Sequence, residues 1–287
     1  MARAEQRTDP LAHHGEGPVW WGPWGGLKFV DMLAGDVLHL GADGQVTRTR
    51  VGTVAAALRP RVGGGAVVAS ERCFALASRD DLSDLTSLPD SWSDTGIRFN
   101  DGGCDPDGRF WCGTMAYDET PGAGAMYRLS AGDGESSPAV ERVWGDVTIS
   151  NGLAWSPDGS LAYYNDTPTG AVSVLDYVGG ELVDRREFAR VDSGHPDGLC
   201  VDAEGGVWVA LWGGSAVRRY TADGRLDEVV ELPVSQVTAC TFGGQGLREL
   251  FITTSAEGLE PGAEPLAGAL FSVEPGVAGL PALPFAG

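Results

Sequence analysis

Three segments of this chain align without gaps, each with a polar residue five positions ahead of a tight turn. They are Asn100-Asp-Gly-Gly-Cys-Asp-Pro-Asp-Gly108, Asn151-Gly-Leu-Ala-Trp-Ser-Pro-Asp-Gly159 and Asp197-Gly-Leu-Cys-Val-Asp-Ala-Glu-Gly205. An apolar strand candidate follows every turn: Arg109–Gly113, Ser160–Tyr164 and Gly206–Leu211. Pro and Gly supply the fixed and the permissive backbone dihedrals that such turns need. A looser copy starts at Glu16-Gly-Pro-Val-Trp20, a degenerate one at Ala55-Ala-Ala-Leu58, and a sixth at Thr238-Ala-Cys-Thr-Phe242.

The starts lie at 16, about 55, 100, 151, 197 and about 238, so the repeat recurs every 39 to 51 residues or so. That period matches the four-stranded blade of a β-propeller. Further strand candidates fall between the copies: Asp36–Leu40, Ala125–Leu129, Ala171–Tyr177 and Ala216–Tyr220. Val207-Trp-Val-Ala-Leu-Trp212 is apolar on both faces, as a strand sandwiched between neighbouring sheets must be. With 43 Gly and 17 Pro and no long helical periodicity, the expectation is all-β: a six-bladed propeller of four-stranded antiparallel blades. Residues 1–287 read as a single propeller domain, with a surface turn at Gly132–Pro138. Trp20, Trp111, Trp155, Trp208 and Trp212 are assigned to the core.

Forty acidic residues against twenty basic ones give a formal charge of −20. This balance argues against nucleic-acid binding, which needs clustered Lys and Arg. Five cysteines, an odd number, without CxxC spacing fit free thiols in a reducing compartment. No apolar run has membrane-spanning length and no signal-peptide h-region opens the chain. A cytoplasmic monomer acting on a small molecule, with no membrane partner, is therefore expected.

Residues at one repeat position share one height and radius around a ring. If that position opens the innermost strand, Glu16, Asn100, Asn151 and Asp197 converge at one mouth of the central channel. Two carboxylates and two amides make an oxygen-rich cup suited to Ca²⁺, Mg²⁺ or Mn²⁺, and less typical of Zn²⁺. Asn-Gly and Asp-Gly are also ordinary turn dipeptides, but independent turns need not share one offset from the next turn. No Gly-x-Ser-x-Gly elbow is present. His13 and His14 are not read as a metal-binding tract, because adjacent strand residues point to opposite faces. His195 reads as a solvated loop residue, and Asp166 as lining the channel or capping a turn.

Gly15-Glu-Gly-Pro-Val-Trp20, Arg98-Phe-Asn-Asp-Gly102, Gly113-Thr-Met115, Ile149-Ser-Asn-Gly-Leu153 and Pro196-Asp-Gly198 together resemble the motifs of the SMP-30/gluconolactonase/luciferin-regenerating family. The likeness runs from near residue 15 to the closing Pro284-Phe-Ala-Gly287. It implies a six-bladed propeller that hydrolyses lactones, commonly sugar lactones, with one divalent cation. Carried onto this chain, Glu16, Asn151 and Asp197 would bind the metal and Asp197 would also be the acid/base residue. Arg98 and Asn100 would hold substrate. The family's Glu after Gly-Thr-Met is matched here by Asp118, one methylene shorter, with Glu119 beside it, and the lactone's identity stays open. The reading from a different class is a cation-stabilised propeller used as a binding module, and a narrower one is a propeller esterase or phosphotriesterase.

Overall fold

Each repeat becomes one sheet in the computed structural model of the protein, which describes residues 2–132 and 137–287. Blade I comprises Gly15–Trp21, Gly26–Asp31, Asp36–Gly41 and Val46–Arg50. Blade II comprises Ala55–Pro60, Ala66–Ser70, Phe74–Ala77 and Thr86–Ser87. Blade III is built from Ile97–Cys104, Phe110–Ala116, Gly124–Ser130 and Ala139–Val147. Blade IV is built from Ser150–Trp155, Leu161–Asp166, Ala171–Val178 and Glu181–Arg190. Blade V holds His195–Val201, Val207–Trp212, Ala216–Tyr220 and Leu226–Glu231. Blade VI takes Val237–Gly243, Glu249–Thr254 and Phe271–Val273, and its fourth strand is Glu5–Gln6 from the other end of the chain.

The first strand of each blade touches the first strand of the next, and blade VI returns to blade I. The six-bladed, all-β propeller expected from the repeat is the fold, and its only helical turns among the described residues are three short 3-10 segments. The closing strand was not foreseen. Gln6 pairs with Phe271 and Glu5 with Ser272, while Ala2 and Arg3 run parallel to Val230 and Glu231 on the edge of blade V. Among the described residues no helix is long and apolar enough to cross a membrane. The middle of the expected surface turn at 132–138 lies outside the described residues.

Apolar side chains of the second strands fill the space between blades. Val207, Trp208, Val209, Ala210 and Leu211 are fully buried. Burying a Val, Leu or Phe side chain contributes about 1.5–3 kcal/mol, and Trp208→Ala would cost about 3–5 kcal/mol through the cavity it leaves. Trp111, Trp155 and Trp208 are core residues as expected. Trp20 and Trp212 are instead only half-buried. Trp20 stacks on Phe251 and Trp212 meets the edge of His14, so both sit at blade margins.

The turns that revealed the repeat are closed by their own chemistry. Gly108 N–H donates to Asp105 O at 2.9 Å and Gly205 N–H to Asp202 O at 3.0 Å, with both glycines left-handed at φ 76° and 83°. Six residues after each Asp stands a Trp whose indole returns to it: Trp111 Nε1 donates to Asp105 Oδ2 at 2.7 Å and Trp208 Nε1 to Asp202 Oδ2 at 2.8 Å. Arg109 Nε and Arg219 Nε complete these carboxylates, each at 2.7 Å. Near the chain's end, Phe285 is fully buried, and its N–H donates to Pro60 O at 2.8 Å.

Candidate functional site

All six innermost strands break register near the same height: between Glu16 and Val19, Ala55 and Ala57, Phe99 and Gly102, Ser150 and Leu153, Pro196 and Leu199, and Val237 and Ala239. A bulge gives one strand an extra residue and re-aims its side chain out of the pleat. The polar starts read from the sequence sit at these bulges. Their partners cross from blade to blade. Asn100 Nδ2 donates to Ser150 O at 2.8 Å and lies 3.4 Å from Asn151 Oδ1. Asn151 Nδ2 donates to Thr167 Oγ1 at 2.8 Å, and that hydroxyl donates to Pro196 O at 2.9 Å. Asn165 Nδ2 donates to Asp197 O at 2.6 Å, and Thr238 Oγ1 to Gly15 O at 2.5 Å.

The structure therefore gathers Glu16, Asn100, Asn151 and Asp197, each buried at 4 % exposure or less, around one end of the channel. A third carboxylate joins them. Asp101, which the repeat offset does not mark, is buried and accepts from Gly102 N–H at 2.7 Å. Burial and the neighbouring Asp101 charge push Glu16 up to about 8, although it accepts from Gly17 N–H at 2.9 Å. Burial, then Glu16 and Asp101, push Asp197 well above the usual carboxylate range. Burial also raises Asp101, opposed by the Arg59 charge.

Asp197 Oδ1 is buried with no hydrogen-bond donor. A bare carboxylate oxygen facing a second carboxylate is an arrangement that a cation relieves. Asn151 suits the same purpose: Thr167 engages its amide nitrogen, and its carbonyl oxygen has only the long Asn100 contact. Among the described residues no three His, Cys, Asp or Glu side chains come together closely enough to hold a metal. The donor set that fits is thus the mixed one, Glu16, Asp197 and the amide oxygen of Asn151, with Asp101 acting at longer range. Its oxygens suit a hard divalent ion.

Arg98 is buried beside this group. Its guanidinium donates to Asn100 Oδ1 at 2.6 Å and Phe99 O at 3.1 Å, and approaches Met32 Sδ at 3.1 Å. Its Nε has no partner, and its fork lies over the Tyr117 ring at 5.7 Å. Holding a buried guanidinium without a carboxylate bonded to it leaves donor capacity for a ligand.

Two further residues border the site that the sequence did not single out for it. His14 is buried, with Nδ1 2.8 Å from Ser255 Oγ and 3.2 Å from Glu257 Oε2. Burial and then the Arg98 charge hold His14 down at about 3, so it is a neutral hydrogen-bonding group. Glu257 is the largest of the negative charges acting on Arg98. Neither belongs to a repeated motif; only the loop after the second strand of blade VI brings Glu257 here. Asp118 stands apart, exposed, its carboxylate accepting from Thr120 N–H at 3.1 Å and Thr120 Oγ1 at 2.7 Å. Glu119 follows in a left-handed conformation, φ 57°. His195 is solvent-exposed as expected, but it opens a strand paired with Trp212 and is not in a loop. Asp166 caps a turn by accepting from Thr148 and Ile149 N–H.

The model of the SMP-30/gluconolactonase/LRE-like region matches residues 14–256. Regucalcin of Sus scrofa is 35 % identical over 96 % of this chain and 95 % of that protein. A solved structure described as a calcium-binding protein, regucalcin, from Agrobacterium tumefaciens superposes with a TM-score of 0.88 at 27 % identity, covering 99 % of this chain and 97 % of that one. A gluconolactonase from Xanthomonas campestris superposes with a TM-score of 0.75 at 25 % identity, covering 94 % and 88 %.

Proposed function

We propose, from the premise that this chain belongs to the SMP-30/gluconolactonase/LRE-like family, that it is a divalent-metal-dependent lactonase acting on a sugar lactone. The observation that carries this reading is the partnerless Oδ1 of buried Asp197 beside buried Glu16. Glu16, Asn151 and Asp197 would hold the cation. When bound, it supplies Lewis-acid stabilisation of the negative charge that develops on the lactone carbonyl oxygen.

The chain's own groups do the rest. Asp197 accepts a proton from the attacking water and returns it to the ring oxygen as the ester bond opens, the work of a general acid/base. Without a cation, burial and the neighbouring carboxylates hold its proton affinity above that of a solvated aspartate, and a bound cation would offset that repulsion. Arg98 offers unspent donors to the oxygens of a polyol or carboxylate, and holds the Asn100 amide in place through a charge-assisted bond. Asn100 in turn presents its side chain next to Asn151. Asp118 reaches a substrate only by releasing Thr120, so it contributes to lactone choice and not to the chemistry. Its shorter reach supports a substrate different from that of relatives with Glu.

The substrate is a small molecule taken by a monomer, and the acidic surface favours neither nucleic acid nor an anionic membrane. The calcium-binding description of the Agrobacterium relative favours one second reading, a cation-holding propeller without turnover. A panel of aldonolactones assayed with Ca²⁺, Mg²⁺, Mn²⁺ or Zn²⁺, with EDTA, and with Asp197→Ala separates the two. Hydrolysis that EDTA and the substitution both abolish is the expected result. If no lactone opens faster with wild type than with Asp197→Ala, the lactonase reading is wrong.

A further inference from the structure

The end of the channel away from the carboxylates opens into a cavity of about 620 Å³. Its wall comes from the later residues of the inner strands and from the C-terminal stretch Leu280–Pro284. Cys200 of blade V and Cys240 of blade VI both line it, with their sulfur atoms 3.7 Å apart. The contact follows from how the two strands meet. No ladder of hydrogen bonds joins neighbouring inner strands, so side chains set their spacing. Gly198 removes that spacer: a Cβ there would lie 2.4 Å from the Ala239 Cβ. The two backbones close up at this level, and the next facing pair is Cys200 and Cys240. Among the described residues Cys73, Cys104 and Cys112 make no such sulfur–sulfur contact, although Cys104 lines the same cavity.

We propose that Cys200 and Cys240 are a redox modification site, forming a reversible disulfide with hydrogen peroxide as the oxidant. Cys200, the more exposed of the two, loses its proton to solvent and attacks a peroxide oxygen; the S–O bond forms, the O–O bond breaks and one water leaves. The Cys240 sulfur then attacks the sulfenic sulfur; the S–S bond forms, the S–O bond breaks and a second water leaves. Two thiols give up two electrons and two protons, and one peroxide becomes two waters. The sulfurs must close from 3.7 Å to about 2.05 Å, a movement within reach of side-chain rotation on strands already in contact. Burial keeps the Cys200 thiol largely protonated, so the reaction is slow and needs sustained exposure. The product ties blade V to blade VI three residues beyond Asp197, independently of what reaction the mouth of the channel performs.

The test is thiol counting on the folded, full-length protein after prolonged peroxide treatment, followed by alkylation in denaturant and peptide mass mapping. The expected result is a fall from five free thiols to three, with the Cys200 and Cys240 peptides joined and two hydrogens lighter, and recovery of five on reduction. In Cys200→Ser the linked species is absent and Cys240 stays alkylatable. Two outcomes overturn the proposal: Cys200 and Cys240 both alkylated after treatment that oxidises half-buried Cys73, or Cys200 recovered as a sulfinic acid with Cys240 free.

Discussion

Asp202 and Asp197 lie five residues apart near the two ends of the innermost strand of blade V, both buried, and they are opposites. Asp202 accepts from Glu204 and Gly206 N–H, from Trp208 Nε1 and from Arg219 Nε, all between 2.7 and 2.9 Å. Asp197 is also buried, yet one of its oxygens has no donor and the charges acting on it are those of Glu16 and Asp101. Blade III shows a milder form, with Asp105 bonded by Arg109 and Trp111, while Asp101 accepts from Gly102 N–H and adds its charge to those of Glu16 and Asp197. Burial therefore does not mark the site. A buried carboxylate with all its partners is a structural rivet, whereas one without them awaits a cation.

The contrast breaks if the two kinds of aspartate respond alike to substitution. Asp197→Asn should reduce lactone hydrolysis by about 10²–10⁴-fold, the range for loss of a general base, while leaving the EDTA-treated protein at least as stable as wild type. Asp202→Ala should do the reverse. It takes the shared buried acceptor from Trp208 Nε1, Arg219 Nε and two backbone N–H groups, leaving Arg219 only its more exposed partners Glu204 and Asp227. Unfolding free energy in urea should fall by about 3–5 kcal/mol, with the folded fraction retaining its turnover. Arg98→Lys should lower kcat/KM by about 10- to 100-fold, equivalent to one or two charge-assisted hydrogen bonds.

A pH series sharpens the same comparison. Glu16 in the folded protein titrates at about 8 against 4.5 for the unfolded chain, and Asp197 is shifted in the same direction. Groups raised on folding add stability that is fully present below the unfolded value and lost as pH climbs through the folded one. In EDTA the melting temperature should therefore fall between pH 5 and pH 8, and added Ca²⁺ or Mg²⁺ should restore more at pH 8 than at pH 5. Calorimetry across that range checks it; a cation effect independent of pH would remove Glu16 and Asp197 from the ligand set. Asp118→Ala is the smallest change, within about threefold in kcat/KM, because its carboxylate is exposed and spent on Thr120.

Turns and the strands behind them were legible because Asp-Pro-Asp-Gly and its variants act locally, and the repeat multiplied the signal until six blades could be counted. Convergence of Glu16, Asn100, Asn151 and Asp197 followed from equivalence alone. What the sequence hid depends on orientation. A bulge presents two consecutive residues, so alternation could not tell that Asp101 turns inward along with Asn100. Arg98 was legible through the family resemblance as a substrate-holding residue, but its burial was not. Glu257 and His14 meet through a loop contact across 243 positions of chain, which no local pattern encodes. Glu5–Gln6 was invisible for a simpler reason: two exposed polar residues carry no hydrophobic pattern, and only the unpaired edge of Phe271–Val273 makes them a strand.

That closing strand has a practical side. The matched family region runs from 14 to 256, whereas half of blade VI is supplied by Glu5–Gln6 and Phe271–Val273, which lie beyond both limits. A gene trimmed to the family limits would encode a ring with an open seam, its Glu249–Thr254 edge bare and ready to pair with another molecule. For anyone cloning, tagging or re-cutting this protein, the two chain ends behave as one zip fastener. Hairpins such as Gly41–Gly44 are the safer places to open the circle.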